Sequence, residues 1–84
     1  MLVRKSVRKF AQEMEKQLRA NDHKGGWQDM YAEELVTCLE EELEEVREAV
    51  DASGKVDERR QAIIHETADL ANYAMMLKEA AERS

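Results

Sequence analysis

Residues 35–50, which read LVTCLEEELEEVREAV, carry the pattern that decides the fold. Leu39, Val46 and Val50 recur at intervals of seven and four residues, which places their side chains on one face of an α-helix. The opposite face carries the acidic residues Glu40, Glu44, Glu48 and Asp51. The stretch therefore predicts an amphipathic helix with one apolar and one solvated face.

A first helix is predicted upstream, over about residues 2–20. Its apolar residues stand at helical spacing: Val3, Val7, Phe10, Met14 and Leu18. Residues 21–26, NDHKGG, are turn formers followed by a glycine pair, so they end the helix. Asp29 is the predicted N-cap of the second helix.

A third helix is predicted downstream, from an N-cap at Asp57 to about residue 82. Ser53 and Gly54 separate it from the second helix, and Gly54 is expected to adopt the left-handed conformation that ends many helices. The three predicted helices cover almost the whole chain.

The composition supports this reading. The chain has 84 residues, no proline, three glycines and 38% charged residues, and good helix formers dominate it. Its length allows one domain, residues 1–84. The single cysteine excludes an internal disulfide. The predicted class is all-α.

Charge and hydropathy limit the kinds of partner that the protein is expected to bind. The net charge of −6 disfavours a nucleic-acid-binding protein, which needs a basic face. No apolar run approaches the roughly 20 residues of a membrane span. Arg4, Lys5, Arg8 and Lys9 interrupt the apolar core that a signal peptide would need. Neither nucleic acid nor membrane is an expected partner, and the expected compartment is the cytoplasm.

Two pairs of carboxylates lie on the apolar faces. Glu42 falls between Leu39 and Val46, and Glu45 flanks it three residues on. In the third helix Glu66 lies within the apolar stripe, and Asp69 lies at its edge, again three residues on. If the two faces pack together, four carboxylates converge.

Burying carboxylates costs several kcal/mol each unless they are protonated, paired with cations or bound to a metal. No basic residue shares these stripes. Oxygen ligands without sulfur or imidazole favour Mg²⁺, Mn²⁺ or Ca²⁺. One such glutamate is usually structural, because it lies at a stripe end or reaches water. Two pairs on adjacent helices favour a metal site.

The motif EExxE…ExxD, formed by Glu41, Glu42, Glu45, Glu66 and Asp69, resembles the signature of the MazG-like all-α NTP pyrophosphohydrolase superfamily. This superfamily includes dimeric dUTPases and dCTP pyrophosphatases, and the resemblance covers about residues 20–80. The stretch that begins at Glu40 and ends at Glu44 also satisfies EExxE. The amphipathic phase favours the match that begins at Glu41 and ends at Glu45, since Glu44 points to solvent.

The resemblance implies Mg²⁺-dependent hydrolysis of a (deoxy)nucleoside triphosphate to the monophosphate and pyrophosphate, with a role in clearing unwanted nucleotides. It implies that Mg²⁺, or alternatively Mn²⁺, is held by Glu42, Glu45, Glu66 and Asp69. Glu41 and Glu42 are the catalytic candidates. Glu41 would bind a further metal or orient the attacking water.

Four residues are candidates for binding the nucleotide. Lys24 adjoins a glycine pair near a helix start, which suits phosphate binding, and Trp27 could stack on a base. By resemblance, Asn72 and Tyr73 would also contact the substrate. The alternatives are that the glycines only form a turn and that the two aromatic residues only cover the core.

The third helix is apolar on more than one side, where Ile64, Ala68, Met75 and Met76 lie off the main stripe. A second chain is therefore expected to cover it, giving a homodimer with a four-helix-bundle core or a dimer of dimers. The alternative function is a non-enzymatic acidic helical dimer that acts as a protein-interaction or metal- or nucleotide-binding regulatory module. No residue pattern identifies the preferred base.

Overall fold

The computed structural model describes residues 2–22 and 25–84 of the chain. Within these residues three α-helices form: α1 over Lys5–Ala20, α2 over Ala32–Asp51 and α3 over Val56–Arg83. No β-strand occurs in either described range. The predicted all-α class is confirmed. None of these three helices is both long and apolar enough to cross a membrane.

The predicted N-caps are wrong in two places. α2 begins after Tyr31, whose backbone N–H donates to Glu34 Oε1 at 3.0 Å, and not at Asp29. α3 begins after Lys55, so Asp57 lies inside its first turn. There the carboxylate interacts favourably with the positive end of the helix dipole.

α3 is the central helix of the fold. It packs against both α2 and α1, whereas α1 and α2 do not contact each other within the described residues. Four residues, 52–55, connect α2 to α3 and make them an antiparallel hairpin. Gly54 in this connection has a positive φ of +147°, but it does not end α2 as predicted, because the C-cap is Ala52 in an extended conformation.

One face of α3 is covered by α1 of the same chain. Ala68, Asn72 and Met76 are buried at intervals of four residues, which places them on one side of the helix. The Asn72 side chain donates from Nδ2 to the backbone oxygen of Met14 in α1 at 3.0 Å. The sequence predicted a second chain over this side of the helix, and α1 covers part of it instead.

The apolar core of the described chain is small: Leu35, Ala49, Ala68 and Met76. Three polar residues are buried among these helices: Gln17, Glu42 and Asn72. Large apolar side chains stay exposed on α1 and α2, including Val7, Phe10 and Leu43. A core of this size contributes modestly to stability, because a short chain buries a small fraction of its surface.

Leu35 is fully buried, so Leu35→Ala is expected to lower the free energy of unfolding by about 2–5 kcal/mol. Urea denaturation followed by circular dichroism measures the change. Val56→Ala is the control, because Val56 is 79% exposed and its truncation should cost less than about 0.5 kcal/mol. Equal losses in both variants would contradict the placement of Leu35.

Candidate metal centre

Glu42 lies on the buried face of α2. Leu35, Glu42 and Ala49 are the buried residues of this helix, seven residues apart, and Glu42 is only 7% exposed. Glu40 and Glu44, the alternatives in the motif, are both exposed. The prediction from amphipathic phase that Glu42 points inward is therefore confirmed, whereas the prediction that Glu45 lies on the same inner face is wrong, because Glu45 is exposed.

Three carboxylates from two helices converge around Glu42. One oxygen each from Glu42, Glu45 and Glu66 lies within 4.8 Å of the other two. Glu42 is buried, Glu66 is half-buried and Glu45 is exposed. The cluster, which we call the carboxylate cluster, thus starts between α2 and α3 and opens to solvent at Glu45.

Asp69 belongs to a second, overlapping group. His65, Glu66 and Asp69 have ligand atoms within 4.8 Å of one another. His65 Nε2 lies 3.1 Å from Asp69 Oδ2 and 3.5 Å from Glu66 Oε1. The four predicted metal ligands therefore form two groups that share Glu66.

His65 is exposed, yet its imidazole reaches the carboxylates of α3. A helical wheel places His65 about 100° from Glu66. However, residues four apart on a helix are neighbours, so the imidazole reaches Asp69. The spacing from His65 to Asp69 is the sequence signal that identifies this contact.

Two oxygens of the carboxylate cluster have no hydrogen-bond partner. Glu42 Oε1 and Glu66 Oε2 are buried and make no hydrogen bond. An unsatisfied buried acceptor costs about 1–3 kcal/mol, and more when it is charged. Unpartnered buried oxygens on adjacent carboxyls fit either a bound cation or a proton held by one of the carboxyls.

Burial, together with the neighbouring Glu66 and Glu45 carboxyls, raises the pKa of Glu42 to about 9. Burial also raises the pKa of Glu66. Without a cation, Glu42 therefore holds a proton at neutral pH. A divalent cation would replace that proton and neutralise the cluster.

The donor atoms fit a hard divalent cation. The carboxylate cluster offers only oxygens, which Mg²⁺, Mn²⁺ and Ca²⁺ prefer. Its opening at Glu45 leaves room for water ligands, which Mg²⁺ usually retains. His65 adds a nitrogen donor beside Asp69, a ligand more typical of transition metals.

Glu41, the predicted accessory catalytic residue, is exposed and belongs to neither group. It lies close enough to Cys38 to affect that thiol. Burial raises the pKa of Cys38, and the charges of Glu41 and Glu34 add to the effect. The Cys38 thiol is therefore protonated at neutral pH and is not an activated nucleophile.

A cavity of about 340 Å³ adjoins Asp69. It lies between the end of α1, residues 25–30 and α3. Trp27, Asn72 and Tyr73, three of the predicted substrate-binding residues, line it together with Asp69. Burial raises the pKa of Tyr73, so its hydroxyl is neutral. The fourth predicted contact, Lys24, lies outside the described residues.

Two contacts of residues that line the cavity were not predicted from the sequence. The Trp27 indole N–H donates to Glu79 Oε2 at 2.7 Å. Asn72 is only 4% exposed, and its side chain donates to the backbone oxygen of Met14. Its Oδ1 has no partner. These partners are 52 and 58 residues apart in sequence, so no local pattern connects them.

Comparison with known protein families, curated proteins and solved structures finds no match to this chain. The family resemblance therefore remains an interpretation of the EExxE…ExxD motif.

The metal-free protein is expected to lose thermal stability as pH rises from about 4.5 towards 9. The unfolded chain releases the Glu42 proton near pH 4.5, whereas the folded protein keeps it until about pH 9, so rising pH favours unfolding. Thermal melts in a chelator across this range measure the loss. Glu42→Gln should flatten the profile and be more stable than the parent at alkaline pH.

Mg²⁺ or Mn²⁺ should raise the melting temperature of the parent protein at alkaline pH but not that of Glu42→Gln. Glu44→Gln is the matched control, because Glu44 is exposed on the same helix and should leave the response unchanged. An identical metal response in parent and Glu42→Gln would contradict the site.

Proposed function

We propose that this protein is a Mg²⁺-dependent nucleoside triphosphate pyrophosphohydrolase of the MazG-like superfamily. It would hydrolyse a (deoxy)nucleoside triphosphate to the monophosphate and pyrophosphate, with Mn²⁺ as the alternative cation. The observation that carries the proposal is the buried Glu42 carboxyl, which has one unpartnered oxygen and lies within 4.8 Å of two further carboxylates from the hairpin of α2 and α3.

The carboxylates have distinct roles in this proposal. Glu42, Glu45 and Glu66 hold the cation, and Asp69 extends the site on the side of α3 that borders the cavity. Bound Mg²⁺ neutralises phosphate oxygens and lowers the pKa of a bound water. Glu41 lies outside the cluster and is exposed, so it acts as an accessory carboxylate that orients the attacking water or binds a further metal.

The cavity beside Asp69 takes the nucleoside. Its volume of about 340 Å³ falls within the range of small-molecule sites, about 300–1,000 Å³. Trp27 and Tyr73 supply aromatic surface, and Asn72 supplies a polar group. With the nucleoside there, the phosphates extend past Asp69 towards the cation site. Each group of the substrate thus meets side chains of matching chemistry.

The activity is tested with Mg²⁺ and a panel of common and modified nucleoside triphosphates, and pyrophosphate and monophosphate are measured together. At least one should be hydrolysed. Glu42→Gln and Asp69→Asn should each lower the rate at least 100-fold, because each removes a charge that holds the cation. Glu44→Gln is the control and should keep the parental rate.

Two results would count against the proposal. Absence of turnover with every nucleotide, in Mg²⁺ and in Mn²⁺, would favour the regulatory module instead. Parental rates in Glu42→Gln would show that the carboxylate cluster is not the site of the reaction.

We also propose that a second copy of the chain covers the exposed face of α2. Val36, Leu43 and Val50 are 43%, 57% and 43% exposed and stand seven residues apart, the spacing of a helix-pairing seam. The four buried apolar residues of the described chain form too small a core for independent stability. Pairing of two hairpins of α2 and α3 gives a four-helix core, and two such dimers would form a tetramer.

Leu43→Glu is expected to convert the dimer, or tetramer, to a monomer and to lower its melting temperature, because it places a charge in the apolar seam. Sedimentation equilibrium measures the mass. Leu2→Glu is the control, since Leu2 is 96% exposed and lies outside the helices. A monomeric parent protein would contradict the proposed assembly.

A further inference from the structure

The indole of Trp27 makes a hydrogen bond across the fold. Its Nε1–H donates to Glu79 Oε2 at 2.7 Å, and the two residues are 52 positions apart. Both groups are partly buried. A short bond from an N–H to a carboxylate is charge-assisted and is about twice as strong as a neutral one. It connects the segment between α1 and α2 to the last turns of α3.

Among the described residues 25–30, the other hydrogen bonds are local: the Gly25 N–H donates to the backbone oxygen of Asp22, and the Met30 N–H donates to that of Trp27. Gly25 has φ of +90°, which marks a turn. Among the described side chains, the hydrogen bond to Glu79 is the one that fixes Trp27 relative to α3.

The bond also determines what Trp27 offers to the cavity. The indole N–H is the only hydrogen-bonding group of a tryptophan side chain. Since Glu79 accepts it, the ring presents apolar aromatic surface to the cavity that it lines with Tyr73. Such a surface binds a planar group by stacking and does not distinguish one base from another by hydrogen bonds.

We propose that Glu79 is a positioning residue that holds Trp27 as the stacking wall of the nucleoside cavity. This inference rests on the proposed pyrophosphohydrolase function. It assigns a role to a carboxylate that belongs to neither metal-binding group. Glu79 affects substrate binding through Trp27, and its effect on affinity is the same for every base that the cavity accepts.

The test compares Glu79→Ala with Glu79→Gln. Glu79→Ala should raise KM by about fivefold or more for each nucleotide that the parent hydrolyses and leave kcat nearly unchanged. Glu79→Gln should restore a KM close to the parental value, because an amide oxygen accepts the same bond. Alanine favours helix, so neither variant should disturb α3.

A spectroscopic measurement reports the bond itself. Trp27 is the only tryptophan, so its indole N–H gives a single, identifiable proton–nitrogen resonance. This resonance should move upfield and exchange faster with water in Glu79→Ala, and it should return towards the parental position in Glu79→Gln. Trp27→Phe should raise KM as Glu79→Ala does, and combining the two substitutions should add little.

The matched control is Glu82→Ala. Glu82 lies three residues further along α3, is exposed and pairs only with Lys78 among the described contacts. It should change neither KM nor the indole resonance.

Three outcomes would overturn the inference. An indole resonance unchanged in Glu79→Ala would show that the bond does not form. A shifted resonance with parental KM would show that the bond does not position the wall. If the parent hydrolyses none of the nucleotides, the proposed function fails and this inference fails with it. The assay of the parent protein, without any variant, distinguishes this outcome from the other two.

Discussion

The structure depends on the burial of one carboxyl group. Glu42 occupies a position on α2 that aligns with Leu35 and Ala49, where packing against α3 removes it from water. A carboxyl in that place must hold a proton or face a cation. The same packing brings Glu45 and Glu66 within reach of it. Stability of the hairpin and negative charge on the cluster therefore oppose each other in the cation-free protein.

The central position of α3 joins the two parts of the site. Glu66 contributes to the carboxylate cluster between α3 and α2, whereas Asn72 and Met76 face α1 and border the cavity. Asp69 belongs to both regions, since it contacts His65 beside Glu66 and also lines the cavity. A ligand that spans both regions would use one continuous surface of a single helix.

The distribution of apolar residues explains why the buried core is small. α1 packs on α3 near Met14, whose backbone oxygen accepts from Asn72, and Gln17 is buried, while Val7 and Phe10 in its N-terminal half stay exposed. α2 likewise buries one stripe and exposes another. Part of the apolar surface therefore stays exposed after the helices have packed against each other within the chain. Such surfaces are typical of chains that complete their cores by association.

The sequence by itself determined the three helices and the inward position of Glu42, although Glu45 and Val50, predicted on the same face, are exposed. Both follow from a periodicity of 3.6 residues, which is a local property of the chain. It separated Glu42 from Glu40 and Glu44 correctly, since burial follows phase on a single helix. It was less reliable at helix ends: Asp29 and Asp57 are good N-caps in general, yet Tyr31 and Lys55 hold those positions.

Only the tertiary structure decided which side chains of different elements meet. The contacts of Trp27 with Glu79 and of Asn72 with Met14 join residues more than fifty positions apart, and they shape the cavity. The division of the four carboxylates into two groups also depends on how α2 and α3 pack. Periodicity states which face of a helix is buried, but the distances between atoms on two helices depend on packing, which no spacing within one helix encodes.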